Sequence, residues 1–383
     1  MAISTGQSDF LNLSRWLAAL LVVMEHVRSL LFQDFGALRS KTLMDYTFYL
    51  ATGFGHEAVV LFFVISGFLV GGKVWERWTR GSFQWPRYLI DRASRLYAVL
   101  VFALLLGAAL DFAGSRWFDQ SGYYTLQTSQ PVATLAYDVT SRLDVPHLLG
   151  SLFMVQEVLI PSFGSNGPLW SLAHEWWYYL LFPLVLELFR GGIFRRLVAF
   201  LVISLIGGLL TSYVVVLFGV WLLGVLAWRV NRRSLLPVWV SLPLCLAALL
   251  AMRLEIRLFP FAHQYLVGAG FALLLNSLVA RNSSLPFKRL SQNFADFSYS
   301  LYLVHFPLIL LIVSAAFSTG WLRDRTALNG QSFALFVAIV STTVIVSYLV
   351  SRFTEARTAT LRDALYRLFR VADSRPRSPQ PDT

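Results

Sequence analysis

A single cysteine, Cys245, stands in 383 residues, so an intrachain disulfide is excluded. Charge is scarce as well. Charged residues make up 14% of the chain, against about 25% in soluble domains. Acidic residues are the scarcer sign, 21 against 32 Lys and Arg, which leaves a formal net charge of +11. In a soluble chain that excess would point to nucleic acid. Here the basic residues lie between apolar blocks, so topology accounts for them and no nucleic-acid partner is expected. The chain also lacks an internal repeat, a separate soluble domain and any metal-ligand pattern. No basic segment precedes the first apolar run and no A-x-A site follows it, so the expectation is an uncleaved first helix.

What is abundant is apolar sequence: 56% hydrophobic residues and a mean hydropathy of +0.60. It comes in blocks of about 15–22 residues, the length a bilayer core of ~30 Å demands of a helix. The expected class is an all-α, polytopic membrane protein. Ten spans are read, near 11–32, 55–74, 94–112, 171–189, 195–210, 212–229, 236–252, 264–280, 297–317 and 331–352. With both termini in the cytoplasm, 22 of the 32 basic residues fall on the inner side, nine on the outer side, and Arg15 within the first span. That bias favours this orientation. Residues 113–170 form a long outer connection, with a short interfacial or re-entrant helix expected over 146–160. The domain division is 1–352 for the membrane domain and 353–383 for a basic amphipathic helix and disordered tail. "LRDALYRLFRV" suits a helix lying on an anionic leaflet, with Leu361, Leu365 and Leu368 along one face.

Four stretches place polar groups inside this apolar chain. In "SRWLAALLVVMEHV", Arg15 and His26 are eleven residues apart, about 20° in azimuth and about 16 Å along the axis. They share one helix face, a cation below and an imidazole above. Intramembrane ionisable groups are functional candidates; snorkelling for Arg15 and an interhelical hydrogen bond for His26 are the structural alternatives. Glu25 points away, towards outer water. The loop "WERWTRGSFQWPRYLIDRASRLY" holds Arg92 and Arg95 three apart on one helix face, a pairing suited to phosphates. In "NGPLWSLAHEWWYYLLFP", Ser171, Glu175, Tyr178 and Tyr179 form a stripe towards the bundle. Glu175 there can accept the N–H of an imidazole, while His174 lies off the stripe and is expected at the interface. In "FSYSLYLVHFPL", Tyr299, Tyr302 and His305 follow at i, i+3 and i+6.

These stretches, in order, resemble the integral-membrane acyltransferase-3 family, bacterial O-acyltransferases of cell-surface and secreted glycans. The first-helix Arg and His match Arg15 and His26. The remaining signatures match "LFFVISGFLV" at 61–70, "RASR" at 92–95, "LWSLAHEWWYYLLFP" at 169–183 and "SYSLYLVHFPL" at 298–308. The likeness covers roughly 10–352. It departs at Asn12, where the family has Asp, at Trp176, where it has a second acid, and at Ala98, where it has Pro. No esterase-like domain follows the last span, so transfer is expected from the membrane domain itself or a separate partner.

The resemblance implies a multi-pass protein of the bacterial inner membrane that moves an acyl group, acetyl first among candidates, from cytoplasmic acyl-CoA to a hydroxyl of a glycan or lipid-linked sugar. Arg92 and Arg95 would hold the donor phosphates, and Arg15 would line its entry. His26 would be the general base and Glu175 its orienting partner. Ser171, Tyr178, Tyr179, Tyr299, Tyr302 and His305 would support the site or the acceptor, and Trp117, Tyr123 and Tyr124 would offer flat faces to a glycan. No bound cofactor and no metal are expected. A transporter of a glycan precursor or small anion is the alternative, weakened by the missing repeat; a membrane scaffold is the other.

Overall fold

The computed structural model describes residues 3–128, 132–254 and 260–371. Among them there is no strand; the chain is a bundle of helices. In order these are α1 (Thr5–Leu31), α2 (Leu43–Ala51), α3 (Gly55–Ser66), a π-helical turn (Gly67–Gly71) leading into α4 (Gly72–Thr79), α5 (Trp85–Trp117), α6 (Val145–Leu152), α7 (Trp170–Arg190), α8 (Ile193–Leu209), α9 (Ser212–Arg229), α10 (Val238–Arg253), α11 (Ala262–Ser277), α12 (Lys288–Ala295), α13 (Ser298–Ser318), α14 (Gly330–Phe353) and α15 (Thr358–Leu368).

Each of the ten expected spans falls on a helix. Among the described residues, six helical stretches are long and apolar enough to cross a bilayer by themselves: Thr5–Leu31, Leu43–Thr79, Trp85–Trp117, Ser212–Arg229, Ser298–Ser318 and Gly330–Leu368. α10 and α11 have 16 residues each, about 24 Å at 1.5 Å per residue, short of a ~30 Å core. α8 buries little beyond Ala199 and Ile206, and its Phe200, Leu201 and Leu205 stay exposed. An apolar helix so uncovered is suited to lipid.

α1 runs through the middle and packs against α3, α11, α12, α13 and α14. It begins with a capping box between Ser4 and Gln7. Gln7 is buried and donates to Asn231 (2.6 Å) and the Leu275 carbonyl (3.0 Å), tying the entry of α1 to α9 and α11. Glu25 is half-buried; its carboxylate lies against Gly55 at the start of α3 and pairs with Arg28 at 3.4 Å. The free N–H groups of a helix N-terminus suit a carboxylate. α5 opens with Pro86 in its first turn and runs for 33 residues, about 50 Å, so its ends overrun the apolar slab.

The described residues of the long connection fold into a cap. Asp111, fully buried, accepts the Ser165 N–H (2.8 Å) and hydroxyl (2.7 Å). Arg142 lies 3.5 Å over the Tyr137 ring. The helix expected over 146–160 is α6 alone and stops at Leu152, because Met154 and Glu157 take left-handed backbone (φ 58° and 55°). Its end is secured by Tyr97, which donates to the Leu152 carbonyl at 2.6 Å, and by the Trp177 indole, which donates to Met154 at 3.0 Å. Tyr123 and Tyr124 are not open faces for a glycan: both are buried, and Tyr123 donates to the Leu30 carbonyl at 3.2 Å. Burying two aromatic rings is how the cap adheres to α1 and α5. Trp117, 63% exposed, does remain open. α15 likewise does not simply lie on a leaflet. It packs on α5, with Tyr366 buried and Leu368 and Phe369 exposed. The tail expected to be disordered, 374–383, lies outside the described residues.

α9 crosses the π-helical turn at backbone contact. A side chain at Gly67 would meet the Trp221 carbonyl, and one at Gly224 would meet Val64 and Phe68 backbone. Gly224→Leu should therefore force the helices apart, with a cost of about 3 kcal/mol or more. Fluorescence size-exclusion of the purified variant should show lost monodisperse protein, whereas Gly207→Leu, where nothing lies near, should behave as wild type.

Candidate active site

One cavity of about 1120 Å³ opens at the end of the bundle where α1 begins. It is lined by Arg15 of α1, Lys73 of α4, Arg92 and Arg95 of α5, Glu175 and Tyr179 of α7, Tyr299 and Tyr302 of α13, and Arg352, Glu355 and Arg362 beyond them. Helix spacing explains the convergence. Arg92 and Arg95 lie one turn apart on α5; Ser171, Glu175 and Tyr179 step by four along α7. Arg15 and Arg92 make no ion pair or hydrogen bond among the described residues, and Arg92 Nε is enclosed without an acceptor. Arg92 lies over the Tyr179 ring (5.8 Å) and Arg95 over the Tyr299 ring (5.2 Å), contacts that hold a cation without neutralising it.

Around this wall the hydroxyls run in one direction. The Trp221 indole donates to Ser66 (3.1 Å), Ser66 lies 3.3 Å from the Tyr179 hydroxyl, and Tyr179 donates to Glu175 at 2.5 Å. Since Tyr179 has a single proton and gives it to the carboxylate, Ser66 is the donor between them. At the deep end Tyr302 donates to the Pro168 carbonyl (2.9 Å), so the Ser171 hydroxyl is the donor in their 2.7 Å contact. Tyr299 donates to the Leu96 carbonyl at 3.3 Å.

His26 stands one ring further on. The Tyr302 ring lies 5.8 Å from the His305 ring, which stacks on His26 at 5.2 Å; Phe306 closes the side edge-on at 5.0 Å. His305 is fully buried, with Nδ1 at 2.7 Å from the Tyr302 carbonyl. A carbonyl only accepts, so Nδ1 carries the proton and Nε2 keeps a lone pair. His305 Nε2 and His26 Nδ1 are both enclosed without a hydrogen-bond partner in the protein.

Three expectations change here. Glu175 does not orient His26: its partner is Tyr179 on its own helix, and it belongs to the arginine wall. The ring against His26 is His305 instead, a contact between α1 and α13 that no spacing within either segment encodes. Tyr178 faces away from the cavity and donates to the Val214 carbonyl of α9 at 2.9 Å. At seven residues from Ser171 it sits about 60° from the centre of the Ser171–Glu175–Tyr179 stripe. His174 is not interfacial but buried, packed on Phe63 and Trp170.

Comparison with known proteins gives the family. A family model described as an acyltransferase domain matches residues 8–352, nine-tenths of the chain and every group from Arg15 to His305. The chain belongs to the acyltransferase-3 family. It is also 28% identical over 149 residues to an uncharacterized protein of Haemophilus influenzae, covering 38% of this chain and 55% of that one. The chain thus spans about half the length of the curated relative it matches. No solved structure matches. The acyltransferase-3 assignment and the helical architecture together make this a multi-pass membrane protein of an acyltransferase family. The family match ends at residue 352, short of Glu355 and Arg362, which line the same cavity.

The Tyr302 hydroxyl joins α13 to α7 at the cavity's deep end. Tyr302→Phe leaves the Pro168 carbonyl and the Ser171 hydroxyl without it, which should cost about 1–3 kcal/mol. A thermal melt of purified protein should show a lowered Tm; an unchanged Tm would mean that the contact contributes nothing.

Proposed function

We propose that the protein is a membrane O-acyltransferase that takes an acyl group, acetyl in the simplest case, from acyl-CoA on the cytoplasmic face of the bacterial inner membrane. It delivers this group to a hydroxyl of a glycan or lipid-linked sugar on the outer face. One observation carries the donor half of this reading. Eight basic residues line the cavity against four acidic ones, and three of the four acids are engaged: Asp91 by Tyr366, Glu175 by Tyr179, and Glu355 by Arg95 and Ser300. Coenzyme A brings a 3′-phosphate and a pyrophosphate, roughly four negative charges. Arg15 and Arg92, cations without an ion-pair partner among the described residues, supply what such a ligand needs.

In this reading the nucleotide end of the donor rests among Arg92, Arg95 and the outer rim, and the thioester points past Arg15 to Ser171 and Tyr302. An acceptor hydroxyl attacks the thioester carbonyl carbon while His26 takes its proton. The C–O bond forms, the C–S bond breaks, and the proton passes to the departing thiolate. His305, its Nδ1 proton committed to the Tyr302 carbonyl, keeps an unprotonated nitrogen beside His26 and supports the base. The acceptor reaches His26 from the face opposite the arginines, where Trp117 remains exposed.

His26→Ala should lower transfer of radiolabelled acetyl from acetyl-CoA by about 10²–10⁴-fold, the worth of a general base, with membrane insertion intact. Activity like wild type would remove His26 from the reaction. The orientation has its own test. In a Cys245→Ser background, Lys73→Cys should react with a membrane-impermeant maleimide in inside-out vesicles and not in right-side-out ones. The reverse pattern would place the basic cavity on the wrong side for acyl-CoA.

A further inference from the structure

The segment after the family domain reaches back into the cavity. Thr354 ends α14, a short 3-10 turn spans Glu355–Arg357, and α15 follows. Glu355 is nearly sealed, its side chain 4% exposed. One carboxylate oxygen accepts the Arg95 guanidinium at 2.8 Å. The other accepts both the backbone N–H and the hydroxyl of Ser300 at 3.0 Å. Ser300 sits in the first turn of α13, where N–H groups lack helical partners and negative charge is favoured. The carboxylate is therefore fixed from one side by a helix end, and from the other it fixes Arg95. α15 is held by a second contact. Tyr366 is buried and donates to Asp91 at 2.8 Å. Asp91 lies one turn before Arg95 on the same face of α5, and Arg362, one turn before Tyr366, lines the cavity.

We propose that residues 355–366 form a latch for the donor site, with Glu355 a positioning residue that sets Arg95 and α15 a wall of the nucleotide subsite. The proposal rests on the reading of this cavity as the acyl-CoA site. Glu355 touches no reacting atom in it. It acts by taking from Arg95 the freedom to swing out to water, so that the guanidinium meets the donor phosphate already ordered. One oxygen of Glu355 is saturated by α13, which leaves Arg95 a single rigid acceptor. The aromatic face of Tyr299 fixes the remaining direction.

The test is the affinity of full-length protein in lipid nanodiscs for coenzyme A itself, which needs no acceptor. Arg95→Ala should weaken binding about tenfold, the worth of one charge-assisted hydrogen bond. Glu355→Gln, which keeps the shape and can still accept from Ser300, should weaken it to a similar extent. The double variant should bind no more weakly than Arg95→Ala alone, because the carboxylate acts through the arginine. Tyr366→Phe, which leaves Arg95 and Glu355 themselves unchanged and is mild for folding, should weaken binding about threefold, as expected for one neutral hydrogen bond.

The outcomes separate the two ideas. If Arg95→Ala weakens binding and neither Glu355→Gln nor Tyr366→Phe does, the donor site stands and the latch is overturned. If the double variant loses the product of the two single factors, Glu355 does not act through Arg95 and its positioning role is overturned. Should Glu355→Gln give no monodisperse protein, Tyr366→Phe decides: weaker binding supports the latch, unchanged binding overturns it. If wild type binds no coenzyme A, the donor reading and the latch fall together.

Discussion

Like charges repel most where water is scarce, and this fold gathers eight basic side chains around one cavity. Two unit charges about 4 Å apart interact with roughly 4 kcal/mol at an effective dielectric constant of 20, so the arrangement has to be held against itself. The structure uses three devices. Glu355 neutralises Arg95 from a helix N-terminus. The Tyr179 and Tyr299 rings lie under Arg92 and Arg95 without cancelling their charge. Lys73 and Arg77, at the mouth, are exposed to water. Among the described residues Arg15 and Arg92 have no ion-pair partner, a condition suited to an anion.

The cavity and the histidine pair belong to one line of side chains that changes character along its length. It begins in arginines, passes tyrosine and serine hydroxyls, and ends in stacked imidazoles. Tyr302 is the turning point: its hydroxyl bonds Ser171 at the cavity's deep end, while its own carbonyl accepts the His305 Nδ1–H. The arginine wall and the imidazole pair are thus linked through one residue of α13. His26, His305 and Phe306 pack ring against ring, and polar contacts gain strength where water is excluded.

Much of this was legible in the chain, for physical reasons. Apolar blocks of bilayer length declared the helices, because burying backbone polar groups in lipid leaves few other folds. Arg15 with His26, Arg92 with Arg95, and Ser171 with Glu175 are pairs within single helices, and helix geometry alone places them. What stayed hidden is what passes between helices. The partnership of His26 with His305 depends on how α1 crosses α13. Tyr178 and His174 turned towards packing partners on α9 and α3 that spacing along α7 cannot reveal. Tyr123 and Tyr124 read as open aromatic faces because their burial depends on the cap folding down onto α1. α15 also packs on α5 with Tyr366 buried, a contact that its amphipathic pattern alone does not reveal.

The central claim is that this basic cavity holds the donor with its thiol end towards Tyr302. A cryo-electron microscopy map of the protein with coenzyme A tests it most directly. The account predicts density for the phosphates beside Arg92 and Arg95 and for the pantetheine arm running past Arg15 to Ser171. Phosphate density elsewhere, or a cavity filled by lipid with coenzyme A absent, would contradict it.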